Sequence, residues 1–180
     1  MTGTTISYQI VIFTHQHSIN GEIFLHDQRL SDYLNDRREK NVILRNASVA
    51  RLENPGRVLE KTQVSLVPKS GIVLAFEPLQ KAPFPPRFIK YPKDKYDVFL
   101  ILEGMEVRGE VHMQGPLDFS NLLADAGESF LPVTQATVTI EANPSFLLKR
   151  DAVLVNTERI RFLGKLESRS PTEPRPEIRK

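Results

Sequence analysis

The 180-residue chain contains no cysteine. This excludes a disulfide framework, and it excludes any site in which a thiolate holds a metal or acts as nucleophile. The chain also lacks long hydrophobic runs, since no apolar stretch approaches the roughly 18 residues that a membrane-spanning helix needs. Its first residues, MTGTTISYQIVIF, have no basic segment and only a short apolar stretch, unlike a secretory signal peptide. We therefore expect a cytoplasmic protein.

Motifs of common enzyme classes are missing as well. The sequence has no G-x-S-x-G nucleophile elbow, no H-E-x-x-H zinc motif and no glycine-rich phosphate loop. What it does have is an ordinary globular composition, with 40% apolar and 26% charged residues. These features predict a folded protein without enzymatic activity and without a cofactor.

An internal repeat is the strongest pattern in the chain. The segment RLSDYLND (29–36) is echoed by DFSNLLAD (118–125), and a shift of 89 aligns residues 29–66 with 118–155 without a gap. The identical pairs include Ser31/Ser120, Leu34/Leu123, Ala47/Ala136, Val49/Val138, Asn54/Asn143, Pro55/Pro144, Leu59/Leu148 and Val64/Val153. A shift of 88 aligns the flanks, as in Gly21-Glu22 with Gly109-Glu110. We predict a duplicated domain in which paired residues such as Leu34 and Leu123, or Val64 and Val153, have similar surroundings.

Both copies follow one plan of strand, strand, short helix and three strands. Segments rich in β-branched and aromatic residues predict the strands, while Leu30, Tyr33 and Leu34 form a helical stripe. Gly21 and Gly109 interrupt strand patterns, which indicates a bulge or a bend. The predicted fold class is mainly β (α+β), as two tandem copies of a small, bent five-stranded sheet or barrel, each with one short helix. The predicted units are a first repeat (1–77), a proline-rich basic linker (78–95), a second repeat (96–166) and a disordered tail (167–180).

The linker carries the first candidate binding site. Cations alternate there with aromatic rings, a pattern that can hold phosphates while the rings stack on bases. The same stretch contains PFPP, a polyproline-type ligand pattern. Alternatively, the rings fasten the linker to the domains and the cations remain in water. The residues are Lys81, Phe84, Arg87, Phe88, Lys90, Tyr91 and Lys93.

Two histidines are the second candidate. His15 and His17 alternate on a predicted strand and would lie about 6–7 Å apart on one face. Imidazoles at this spacing can bind a transition metal, with His26 or Glu22 as a third ligand. Solvent-facing histidines near a strand end are the simpler interpretation.

Charge is unevenly distributed along the chain. Residues 97–163 contain ten Asp or Glu and five Lys or Arg, whereas the chain before them is net positive. A basic first copy and an acidic second copy can dock on each other within one chain, or head to tail between chains.

The segments RLSDYLN, ILRNASV and VSLVPKSGI, with VLVNTERI in the second copy, resemble a bacterial domain family of unknown function. That family has an RLSDxLN helix motif and a VNK-like strand ending. The resemblance implies a structural domain and no particular activity. From the β-rich plan and the missing enzyme motifs, we predict a scaffold or adaptor that binds protein partners, with strand addition at exposed sheet edges as the binding mode. The alternatives are a nucleic-acid-binding protein of small-barrel (Sm-like) type and, third, a metal-binding protein that uses His15 and His17.

Overall fold

The computed structural model describes residues 5–26, 28–78, 93–124 and 129–167. The chain is mainly β, as predicted. The strands are β1 (Thr5–Phe13), β2 (His17–His26), β3 (Asn41–Arg51), β4 (Asn54–Pro68), β5 (Leu74–Phe76), β6 (Asp94–Leu102), β7 (Met105–Met113), β8 (Phe130–Ile140), β9 (Asn143–Asn156) and β10 (Ile160–Lys165). The helices are α1 (Leu30–Asn35) and α2 (Phe119–Ala124). Short 3₁₀ turns at Lys69–Gly71 and Thr157–Arg159 precede β5 and β10.

The strands form one antiparallel sheet in the order β10-β6-β7-β8-β9-β5-β1-β2-β3-β4. We call residues 5–78 the first half and residues 93–167 the second half. The prediction of two separate sheets was wrong, because β5 pairs with β1 on one side and with β9 on the other. β5 itself contains only three residues, Leu74–Phe76. All three residues are buried, because β5 lies between one strand of each half. β6 starts at Asp94, two residues before the predicted start of the second repeat at residue 96.

The two halves share their strand order and their register. The order is β5-β1-β2-β3-β4 in the first half and β10-β6-β7-β8-β9 in the second. Tyr8 pairs with Ile23, and Tyr96 pairs with Val111, in hairpins of the same register. Below, two residues are called equivalent when they hold the same position in this order and register.

Irregular features of the strands are also equivalent. The pairing of β2 with β3 shifts around Gly21, and the pairing of β7 with β8 shifts around Gly109. A Cβ at Gly109 would lie 2.6 Å from the Thr134 carbonyl oxygen, so this position excludes any side chain. Opposite the glycines, Asn46 and Gln135 both have a φ of 48°, the left-handed conformation found in bulges. The predicted bulges are confirmed.

One extra residue in β4 changes the alignment of the two halves from the one without gaps that the sequence predicts. The register of β3 with β4 shifts between Val49 and Ala50, where no shift occurs at the corresponding place between β8 and β9. β4 has 15 residues and β9 has 14. Beyond this bulge the shift between the halves is 88, so Leu66 is equivalent to Leu154 and Val64 to Ala152. The predicted match of Val64 with Val153 was therefore wrong, and so was that of Leu59 with Leu148.

The apolar interior consists of two clusters, one centred on each half. The second-half cluster includes first-half residues around β5, while the first-half cluster includes Phe130 and Leu154 from the second half. The helices differ in burial, since Leu34 is 1% exposed but the equivalent Leu123 is 39% exposed. The expectation of similar surroundings for this pair was also wrong.

In the described parts of the chain, no helix has the length and apolar character to cross a bilayer.

Candidate assembly surfaces

The joint between the halves shows how this fold buries a sheet edge. Within β5, Leu74 pairs with Val155 and Ala75 pairs with Leu154. Helix α1 lies over the same region, because Leu30 and Leu34 pack in one cluster with Phe130 and Leu154. The joint thus combines a short strand pairing with a helix that packs against Phe130 and Leu154 of the neighbouring half.

Asn35, the last residue of α1, bonds the backbone of the other half. Its side-chain nitrogen donates to the Phe130 carbonyl oxygen at 3.1 Å, and its side-chain oxygen accepts from the Phe130 amide at 2.8 Å. A carboxamide can satisfy a backbone N–H and C=O together in this way. Asn35 therefore extends the hydrogen bonding of β8 where the strand begins.

Lys69 secures the C-terminal end of α1. Its Nζ donates to the carbonyl oxygens of Tyr33 at 2.7 Å and Asp36 at 3.0 Å, and it lies 5.0 Å from the centre of the Tyr33 ring. Carbonyls at a helix C-terminus lack intrahelical partners and favour a cation. Burial lowers the pKa of the Lys69 ammonium, while the carboxylates of Asp36 and Glu39 oppose this shift.

Asn156, at the end of β9, is more deeply buried than Lys69, the other buried polar side chain of the joint. Its Nδ2 donates to the carbonyl oxygens of Lys69 at 3.3 Å and Ile72 at 2.8 Å. Its Oδ1 accepts from the Glu158 amide at 3.0 Å, and its own amide donates to the Val73 carbonyl at 3.0 Å. Both polar atoms of its side chain and its amide are therefore bonded, and three of these four bonds cross from the second half to the first.

Charged groups add a more exposed contact beside the joint. Arg159 bonds the Glu103 carboxylate at 3.2 Å and also donates to the Ser70 carbonyl oxygen of the first half. Arg161 bonds the same carboxylate. Desolvation opposes ionisation of Glu103, but the two guanidinium groups outweigh it and hold its pKa below the usual range.

The β4 edge is one open end of the sheet. β4 has β3 on one side and no strand of the described chain on the other. Large apolar side chains lie exposed along it, with Val64 64% and Leu66 57% accessible, and Ile43 on β3 pairs with Leu66. The Lys61 amide donates to the carboxylate of Glu60. A strand that has an open edge and exposed apolar side chains is a template for strand addition.

The opposite end of the sheet is the outer edge of β10. β10 pairs with β6 on one side and with no described strand on the other. Phe162 is 51% exposed there. Helix α2 of the same half exposes Leu123, while Leu122 packs against the second-half cluster. Both open ends thus present apolar side chains to solvent.

The residues predicted from the linker pattern lie almost entirely outside the described residues. Of that set only Lys93 is described, exposed just before β6. The other members outside the described residues are Lys81, Phe84, Arg87, Phe88, Lys90 and Tyr91.

The three histidines are not brought together. His15 lies exposed in the turn after β1, His17 is the first residue of β2 and His26 is its last. At roughly 3.3 Å per residue, a strand of this length places its two ends far beyond the reach of one metal ion. Within the described ranges, no group of three or more His, Asp or Glu side chains could hold a metal.

Sequence reasoning missed the roles of Asn35, Lys69 and Asn156. Each belongs to a motif that it had noted: Asn35 ends RLSDYLN, Lys69 lies in VPK and Asn156 lies in VNT. The side-chain bonds that Asn35 and Asn156 make across the joint reach partners 84 to 95 residues away in the chain. The motifs therefore contain these residues, but only the tertiary fold shows which groups they bond.

No family model matches the chain, and neither a search of curated proteins nor a search of solved structures gives a match.

Proposed function

We propose that this protein is a non-enzymatic scaffold that binds protein partners by strand addition at the β4 edge. The observation that carries the proposal is the exposure of Val64 and Leu66 on a long strand with an open edge. Extended segments bind such edges through backbone hydrogen bonds, while side-chain pockets and patches give specificity. Exposed apolar strands are otherwise a liability for aggregation, which favours a use for this one.

We also infer that the two halves arose by tandem duplication of one domain, related to the family with the RLSDxLN motif. The shared strand order, the shared hairpin register and the matching bulges at Gly21 and Gly109 support this inference. Duplication also explains why β9, the equivalent of β4, already has a strand paired along its edge, namely β5.

The proposal is tested by capture of partners from the native host with immobilised protein. In the Val64→Lys variant, a charge is placed on the exposed edge, where it opposes strand addition. We expect wild-type protein to retain a specific partner that Val64→Lys loses. Leu147→Lys is the matched control, since Leu147 is 55% exposed in the second half, and it should retain the partner. Equal capture by wild-type protein and Val64→Lys would contradict the proposal.

A second candidate is binding of single-stranded nucleic acid. Four cations lie exposed on the β3–β4 ribbon, and cations beside apolar surface suit phosphates and bases. A gel shift with single-stranded RNA and DNA at about 50 mM salt tests this candidate, because electrostatic binding is strongest at low salt. Absence of a shift removes it. The cations are Arg45, Arg51, Arg57 and Lys61.

A further inference from the structure

The joint between β5 and β9 has equivalents at the two open ends of the sheet. β10 is equivalent to β5, because Phe13 pairs with Leu74 as Ile101 pairs with Phe162. β4 is equivalent to β9, because Asn41 pairs with Pro68 as Phe130 pairs with Asn156. One end of the molecule therefore carries the strand that enters the joint, and the other end carries the strand that receives it.

Three apolar side chains that the joint buries have exposed equivalents at these ends. Leu74, Leu154 and Leu34 are 0%, 8% and 1% exposed. Their equivalents Phe162, Leu66 and Leu123 are 51%, 57% and 39% exposed. Phe162 and Leu123 belong to the β10 end, and Leu66 belongs to the β4 edge.

We infer that the occupant of the β4 edge is a second copy of this chain, whose β10 and α2 dock there as β5 and α1 dock on β9 and β8. The inference rests on the proposed function, since it names the partner for that edge. The internal register predicts that Leu163 of one molecule pairs with Leu66 of the next, as Ala75 pairs with Leu154. Phe162 would then pair with Val67, as Leu74 pairs with Val155.

Such a contact uses different surfaces on the two molecules. A heterologous contact of this kind continues into an open chain of molecules or closes into a ring. The opposite net charges of the two halves favour head-to-tail contact over contact between like halves.

The contact between molecules should be weaker than the joint within the chain, because other residues stand at the open ends in place of those that form hydrogen bonds in the joint. Pro68 stands in place of Asn156 and has no amide to donate, although the Asn156 amide donates to Val73 in the joint. Ala124 stands in place of Asn35, and the polar Asn41 stands in place of the buried Phe130. We therefore expect reversible association that increases with protein concentration.

Disulfide trapping tests the predicted register directly, since the natural chain has no cysteine. Directly paired residues on one face of a sheet have Cβ atoms about 4.5–5.5 Å apart, close enough for a disulfide after small adjustment. Full-length Leu163→Cys/Leu66→Cys protein should form a ladder of covalent dimers and larger species under mild oxidation. In the control, Leu163→Cys/Ser65→Cys, the second cysteine points to the opposite face, and the protein should form no covalent dimers.

Sedimentation over a wide concentration range provides the second measurement, without cysteines. Wild-type protein should associate, and Phe162→Lys should weaken association by about tenfold or more, because burial of an unpaired charge is costly. Leu147→Lys should behave as wild type. Monomeric wild-type protein at all concentrations, or equal trapping in both cysteine pairs, would overturn the inference. A disulfide within single molecules would also overturn it, since the sheet would then close on itself.

These results separate this inference from the proposed function. If the protein stays monomeric but captures another protein that Val64→Lys loses, the scaffold stands and its partner is not a second copy. If self-association is found and Phe162→Lys abolishes it, the occupant is identified. If neither capture nor self-association occurs, both proposals fail together.

Discussion

The two halves have the same strand order and register, yet their helices are held differently. Helix α1 is buried over the joint and secured by Asn35 and Lys69, whereas the equivalent positions beside α2 hold Ala124 and Thr157. Asn156 is the bonding side chain that the second half contributes, and Pro68 holds the equivalent position in the first half. The side chains that bond across the joint are thus present where the two halves meet and are replaced by other residues at the open ends. One architecture serves both as a closed joint and as an open edge, depending on a few side chains.

The largest expected difference between the halves is at the helices. Leu34→Ala should lower the free energy of unfolding by about 2–4 kcal/mol, because it removes a buried side chain and leaves a cavity. The equivalent Leu123→Ala should cost less than about 1 kcal/mol, since Leu123 is already partly in water. Urea unfolding of both variants measures the difference. Equal losses would contradict the description of α2 as the less buried helix.

A smaller effect is expected at the polar side chain of the joint. Asn156→Ala should cost about 1–3 kcal/mol, because the carbonyls of Lys69 and Ile72 would lose a donor in a buried site. Asn143→Ala is the control, since its side chain bonds the Glu53 carbonyl at an exposed position. It should stay within about 0.5 kcal/mol of wild type. If the control costs as much as Asn156→Ala, the joint does not depend on Asn156.

The smallest expected effect is on the acid side of the stability profile. The side chain and amide of Arg38 lower the pKa of Asp36 to about 2 from 3.8. Since the folded pKa is the lower one, this contribution to stability is present above pH 3.8 and is lost as the pH falls through about 2. Asp36→Asn should remove part of the pH dependence in that window, in urea unfolding at several pH values. The change should be slight, because Arg38 is highly exposed.

Much of the local structure could be predicted from the sequence. Alternation of apolar residues gave the strands, the stripe of Leu30 and Leu34 gave α1, and Gly21 and Gly109 gave the bulges. These features depend on neighbours in the chain or in the adjacent strand. The union of the halves into one sheet could not be predicted in this way, because β5 is too short to show a pairing preference.

The register of β4 shows why the repeat was partly misaligned. Leu59/Leu148 and Val64/Val153 are identical residues, and an alignment without gaps scores them as matches. The extra residue in β4, opposite Val49 and Ala50, displaces all later residues of β4 by one position. Each of these side chains therefore lies on the opposite face from the one that an alignment without gaps predicts. Residue identity does not carry this information, whereas strand pairing does. The binding partners of Asn35 and Asn156 were hidden for a similar reason, since they lie in the other half.

Pairing at β5 and the side chains of Asn35 and Asn156 unite the two halves into one sheet. Hydrogen exchange of single amides by NMR tests this union most directly. The amides of Phe130 and Asn156, which bond Asn35 and Val73, should be protected to nearly the extent of the Leu100 amide in β6, a strand that is paired on both sides. Exchange of both amides as fast as that of Lys61 on the open β4 edge would contradict the account.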